Sequence, residues 1–134
     1  NPLGVKDPIG SLTVIRHPMV GNNDYSMNIG NDLEEGTAVI MMSATVDQLI
    51  ASTSYAVKEV NSKLENNIGG YFLVHCGGRK LGIGDRMNEV HSAVKEACGD
   101  TPFLMIFTFG EYGYRSHSAN TCGGLMLSFT GFEK

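Results

Sequence analysis

Three short stretches carry the side chains best suited to chemistry; the first two end apolar runs that read as buried strands, and the third stands just ahead of one. The first is Cys76-Gly77-Gly78-Arg79, where two glycines let the backbone turn or approach a ligand closely before a guanidinium that matches carboxylate or phosphate. The second is Thr108-Phe109-Gly110-Glu111, whose carboxylate can receive hydrogen bonds from an ammonium, an amide or a hydroxyl. The third is His117-Ser118-Ala119-Asn120-Thr121-Cys122, in which His117 could donate to a ligand, carry a proton or ligate a metal or haem. Each stretch has a plainer reading too: a turn with a buried thiol and a solvated Arg, an exposed Glu, a loop His in water. His75 and Cys76 point to opposite faces of a strand, which weakens a dyad between them, while Cys76 with His117 stays geometrically open.

Other candidates fall away on spacing. The glycine-rich run 77–85 fits neither Gly-x-x-x-x-Gly-Lys-Ser/Thr nor Gly-x-Gly-x-x-Gly, so a nucleotide cradle is not expected. Asn22-Asn23-Asp24 lacks the spacing of a calcium loop, and Met41, Met42, Met87, Met105 and Met126 read as core filler rather than a metal site. Cys76, Cys98 and Cys122 form no Cys-x-x-Cys pair and are odd in number, which argues against a zinc knuckle and a secreted disulfide framework and fits a reducing cytoplasm.

The elements that must position these groups follow from periodicity. Thr45 with Gln48 has the form of a capping box, and Val46, Leu49, Ile50, Thr53, Val57, Val60 and Leu64 then recur at helical spacing. Asp85 reads as the cap of a second helix with Met87, Val90, Val94 and Ala97 inward, stopped at Gly99. The run 37–43 is continuously apolar and reads as a central strand covered on both faces. Runs 71–76, 103–109 and 125–132 read as further strands, with a loop after Cys76 and a long polar connection over 110–124. Two short strands, 11–15 ending at Pro18 and 26–29, precede these.

The expected fold is therefore α/β of the α+β kind: a mixed sheet of about six strands with two main helices on one face, in core order β-α-β-α-β-β preceded by two strands. The same order occurs in chorismate-mutase-like folds, which trimerise with ligand sites between subunits; by that analogy of pattern a homo-oligomer is an open expectation. The 134 residues suit one domain over 1–134, and 42% hydrophobic with 18% charged residues is the balance of a globular chain. Ten basic residues are scattered among fourteen acidic ones for a net charge of −4, so nucleic acid is not an expected partner. No apolar run reaches the roughly 18–20 residues that span a bilayer, so no membrane association is expected.

Taken in order, the three stretches resemble the C-terminal domain of the FIST family. That pattern has a strand ending in Cys-x-Gly-Arg, matched by Cys76-Gly77-Gly78-Arg79, then a helix, then an aromatic-rich strand ending in Thr-x-Gly-Glu, matched by Phe107-Thr108-Phe109-Gly110-Glu111. A loop with His or Asn and a last apolar strand close it, matched by His117, Asn120 and the run 125–132. Pro2-Leu3-Gly4-Val5 and Glu35-Gly36-Thr37 are similar to the family's opening and to the Glu-Gly before its central strand. The resemblance implies a cytoplasmic sensor of small metabolites such as amino acids. It also implies a companion FIST N-terminal domain or a signalling partner, neither of which this sequence contains; a fragment or a stand-alone relative is expected. Some relatives are reported to bind haem; His117 or Cys122 could serve it here, though no attachment motif is present and no cofactor is expected.

The leading expectation is a non-catalytic binding module in which Arg79 pairs with a ligand carboxylate and Glu111 takes its amino or hydroxyl donor. Cys76, Thr108, His117 and Asn120 would complete the ligand site. Two alternatives stand beside it: an enzyme using Cys76 as nucleophile or Glu111 as general acid/base, and a domain that serves only to oligomerise.

Overall fold

The computed structural model describes residues 1–6, 13–114 and 120–134. Near the N-terminus, β1 (Leu3–Lys6), β2 (Thr13–Gly21), β3 (Met27–Gly30) and β4 (Ile40–Met41) form an antiparallel sheet in the order β3-β2-β1-β4. Next come α1 (Val46–Lys63), β5 (Ile68–Cys76), α2 (Gly77–Ile83), a 3-10 turn (Gly84–Arg86), α3 (Met87–Cys98) and β6 (Phe103–Thr108). A hairpin of β7 (Glu111–Gly113) and β8 (Thr121–Gly123) leads into β9 (Leu127–Glu133). The second sheet has the order β6-β5-β9, with β6 parallel and β9 antiparallel to the central β5. The mixed α+β class with two main helices, α1 and α3, is as expected; the strands are shared among a four-stranded, a three-stranded and a two-stranded sheet.

The core lies between the second sheet and the two main helices. Register places Met105 and Phe129 on either side of Leu73, so all three share a face, and Tyr71 lies two residues before Leu73 on the same face. Against that face pack Ile50 and Val57 of α1, Val90 and Val94 of α3 and Ile83 of α2. The inward stripe of α1 is the one its spacing predicts, and its start is the expected capping box. Thr45 Oγ1 accepts from Gln48 N–H at 3.2 Å while Gln48 Oε1 accepts from Thr45 N–H at 2.8 Å. A Cβ at Gly131 would meet Val60, Leu64 and Ile68 side chains at 2.6, 2.9 and 3.3 Å, so the missing side chain is what lets α1 lie so close on β9.

Four local expectations are corrected. The run 37–43 is not a covered central strand: only Ile40 and Met41 pair, with β1 at the edge of the first sheet, and both are exposed, so Met41 is not core filler. The residues after Cys76 are not a loop but helix α2, with the Cys76 thiol accepting from Gly78 N–H at 3.3 Å. Asp85 caps nothing; it sits in the 3-10 turn, and α3 starts after Arg86 without a side-chain cap. Strand β2 does not stop at Pro18 but runs on to Gly21. Its pairing with β1 covers only Thr13 to Arg16, so the absent proline N–H falls where a single neighbour, β3, remains, beside a bulge.

Candidate functional site

The end of β5 and the start of β7 bring four polar side chains into one buried neighbourhood: His75, Cys76, Arg79 and Glu111. Their placement follows from the local chain path. The last residue of β5, Cys76, doubles as the cap of α2, so Arg79 stands in the first turn of that helix, directly over the strand end. Its guanidinium reaches α1, where Nη2 donates to the Leu49 carbonyl at 2.9 Å and the Ser52 hydroxyl at 2.6 Å. Arg79 Nε, also buried, has no partner among the described atoms. Burial holds the guanidinium below its usual pKa, while the Cys76 and Glu111 side chains pull the other way.

Glu111 is 2% exposed, a rare position for a carboxylate without dedicated donors. Thr108 Oγ1 donates to its Oε1 at 2.9 Å, and Met126 N–H donates to its Oε2 at 3.3 Å. The Thr-Phe-Gly-Glu stretch thus folds back on itself, with the strand-end threonine orienting the carboxylate three residues on. No ion pair between Arg79 and Glu111 is found among the described residues, so Glu111 acts on Arg79 through the field rather than by contact.

His75 is fully buried, its Nδ1 lies 3.0 Å from the Cys76 carbonyl, and its ring tilts against Phe107 with centroids 5.4 Å apart. Accepting the Nδ1 proton leaves the carbonyl satisfied and makes Nε2 a lone-pair acceptor, which no described donor meets. Desolvation lowers the His75 pKa, the Cys76 carbonyl and Glu111 raise it, and Arg79 lowers it further. The imidazole points into the core like Leu73, while the Cys76 thiol turns to the Gly78 amide, so the two do not form a dyad.

A cavity of about 510 Å³ opens beside this cluster, between α1 and the β7 to β9 segment. Glu111 stands in its wall; Ala56, Glu59, Val60 and Lys63 line the α1 side, and Tyr112, Tyr114 and Ser128 line the opposite side. Lys63 Nζ lies 3.2 Å from Glu59 Oε1 on the helix surface. Asn120 borders a second, more open recess with Tyr112, Thr121 and Cys122. Cys76, Arg79 and Thr108 line neither space; Thr108 acts on the cavity through Glu111. His117 lies outside the described residues. Among the described residues no group of three or more His, Cys, Asp or Glu could hold a metal ion.

Sequence reasoning missed the α1 wall: Ala56, Glu59 and Lys63 recur at three- and four-residue steps beside the inward stripe that contains Val60, and that periodicity was the available signal.

The family model of the FIST C domain matches residues 1–114, which leaves β8 and β9 beyond the matched span. No curated protein and no solved structure matches the chain. No described helix is long and apolar enough to cross a membrane. The chain belongs to the FIST C domain family, a family of signal-transduction sensory domains.

Proposed function

We propose that this FIST C domain is a non-catalytic sensor of cytoplasmic signalling that binds a small polar molecule, foremost an amino acid, in the cavity between α1 and β9. The observation that carries the reading is Glu111: a carboxylate buried in the wall of a 510 Å³ space and held in place by the Thr108 hydroxyl and the Met126 amide. A carboxylate fixed this way meets a ligand ammonium without first having to be ordered. Its volume falls in the range of small-molecule sites. Lys63, on the α1 wall, supplies a cation for the ligand carboxylate, and the tyrosines at 112 and 114 supply apolar area with hydroxyl ends. In this reading Arg79 is a buried counter-charge to Glu111 and a tie to α1, and Asn120 belongs to the neighbouring recess.

Calorimetry against the twenty amino acids tests the proposal. Binding of at least one, weakened about tenfold or more in Glu111→Gln, is the expected result. Equal affinity in the two proteins removes Glu111 from the site, and no heat from any amino acid overturns the amino-acid reading.

A further inference from the structure

We infer that the same cavity receives an extended peptide, which adds as a strand along the free edge of β9. The inference rests on the ligand site just proposed and narrows what fills it. It begins with the register of β9. Cys76 N–H donates to the Met126 carbonyl at 3.3 Å just past the end of the ladder, and Tyr71 N–H donates to the Pro102 carbonyl at 3.0 Å on the opposite, β6 side, so the even-numbered residues of β5 form the hydrogen-bonded pairs with β9. Such pairs alternate with non-bonded ones, so Ser128 and Thr130 turn their backbone groups toward β5. By the same alternation Leu127, Phe129 and Gly131 turn theirs away from it.

The outward row has no backbone partner among the described residues, and β9 is the last strand on its side of the sheet. Leu127, Ser128, Phe129 and Thr130 of β9 all line the cavity, so its wall includes a strand edge about 10 Å long at ~3.3 Å per residue. Donors and acceptors that repeat every second residue are matched over more than one repeat only by another extended backbone. A lone amino acid matches one repeat; a peptide of four or five residues matches the whole wall.

The walls also set the side chains. A strand laid on this edge alternates its residues between two faces. One set shares the face of Leu127 and Phe129 and meets Ala56 and Val60 of α1, which suits small apolar residues. The other set shares the face of Ser128 and Thr130, which suits polar ones.

The test uses the intact chain, the capped peptide acetyl-Thr-Val-Thr-Val-Thr-amide and two copies of that peptide, N-methylated either at both valines or at its threonines. Affinity is followed by calorimetry, and the backbone amides of β9 by NMR. The expected result is that the parent peptide binds and shifts the Leu127 and Phe129 amides. One methylation pattern should then weaken binding about tenfold or more while the other spares it, because only one alternating set of N–H groups faces β9. Equal binding of all three peptides overturns the inference. Amino-acid binding that is sensitive to Glu111→Gln, with no peptide binding, overturns it too but leaves the proposed sensor function standing. A concentration-dependent dimer whose Leu127 and Phe129 amides are protected without peptide would make a second copy of the chain the occupant, and would also overturn it.

Discussion

Arg79 Nη2 lies 2.9 Å from the carbonyl oxygen of Leu49, thirty residues earlier in the chain, and this bond ties α2 to the first turns of α1. The Ser52 hydroxyl shares the same nitrogen. The side chain is 9% exposed, so water replaces little of what its removal would take away. Arg79→Ala is expected to lower stability by about 2–4 kcal/mol, through the lost bonds and the space left behind. Urea denaturation measures it. Arg79→Lys, which keeps the charge but not the fork, should fall between the two; a wild-type midpoint in Arg79→Ala would contradict the assignment.

His75 predicts a pH dependence. Its folded pKa is depressed chiefly by desolvation, below the ordinary value of 6.5. The unfolded chain therefore binds the proton more readily than the folded one over the interval between the two values. The stability that His75 contributes as a neutral ring is fully present above pH 6.5 and is lost as pH falls from there toward the folded value. Denaturation midpoints taken between pH 7.5 and 5 should fall with pH, and His75→Phe should flatten that slope. A slope unchanged by the substitution would assign the effect to other groups.

The three cysteines are expected to differ sharply toward a thiol reagent. Cys98 is buried at the end of α3, with its pKa pushed up to about 11 by desolvation, and Cys76 is 5% exposed and caps α2. Cys122 is partly exposed at the rim of the open recess, with Asn31 Nδ2 3.8 Å from its sulfur. In the native protein at pH 8, one equivalent should react quickly, and Cys122→Ser should remove that phase. Rapid labelling of two or three thiols would show that the core around Cys76 or Cys98 opens readily.

The capping box on α1 is expected to matter at the level of a single helix start. Thr45→Ala removes the acceptor for the Gln48 amide and should cost about 1 kcal/mol, read as a lower thermal midpoint; Thr45→Ser should restore most of it. A midpoint unchanged in Thr45→Ala would mean the helix is held by its packed stripe alone.

Helix α1 was legible because two independent signals agreed, the Thr45 and Gln48 pair and the spacing from Val46 to Leu64. The strands on either side of Leu73 were legible from their apolar runs, although Leu104, Phe107 and Phe132 within them stay exposed. The run 37–43 misled because apolar content reports a preference for cover, not its presence, and here Val39, Ile40 and Met41 lie at an exposed edge. Helix α2 was hidden because Gly77, Gly78 and Gly82 give seven residues little intrinsic preference for a helix. What holds them is remote, namely the Arg79 bonds to α1 and the burial of Ile83. Glu111 could be singled out as a carboxylate after a strand, but its donors could not: the Met126 amide is fifteen residues away and meets it only after β9 has paired. The direction of the Arg79 side chain was hidden by a similar distance, since nothing local to the glycine pair announces that Leu49 and Ser52 receive the guanidinium.

Strand β5 ends at Cys76 and α2 begins at Gly77, with no connecting residue between them. Such a seam has no slack. One residue inserted there would turn the whole of α2 by about 100° about its own axis, swinging Arg79 away from Leu49 and leaving the carbonyl bare. The phase of this short helix is thus set by the strand before it, and length changes at the seam should be far less forgivable than changes of side chain on the outer surface of α2.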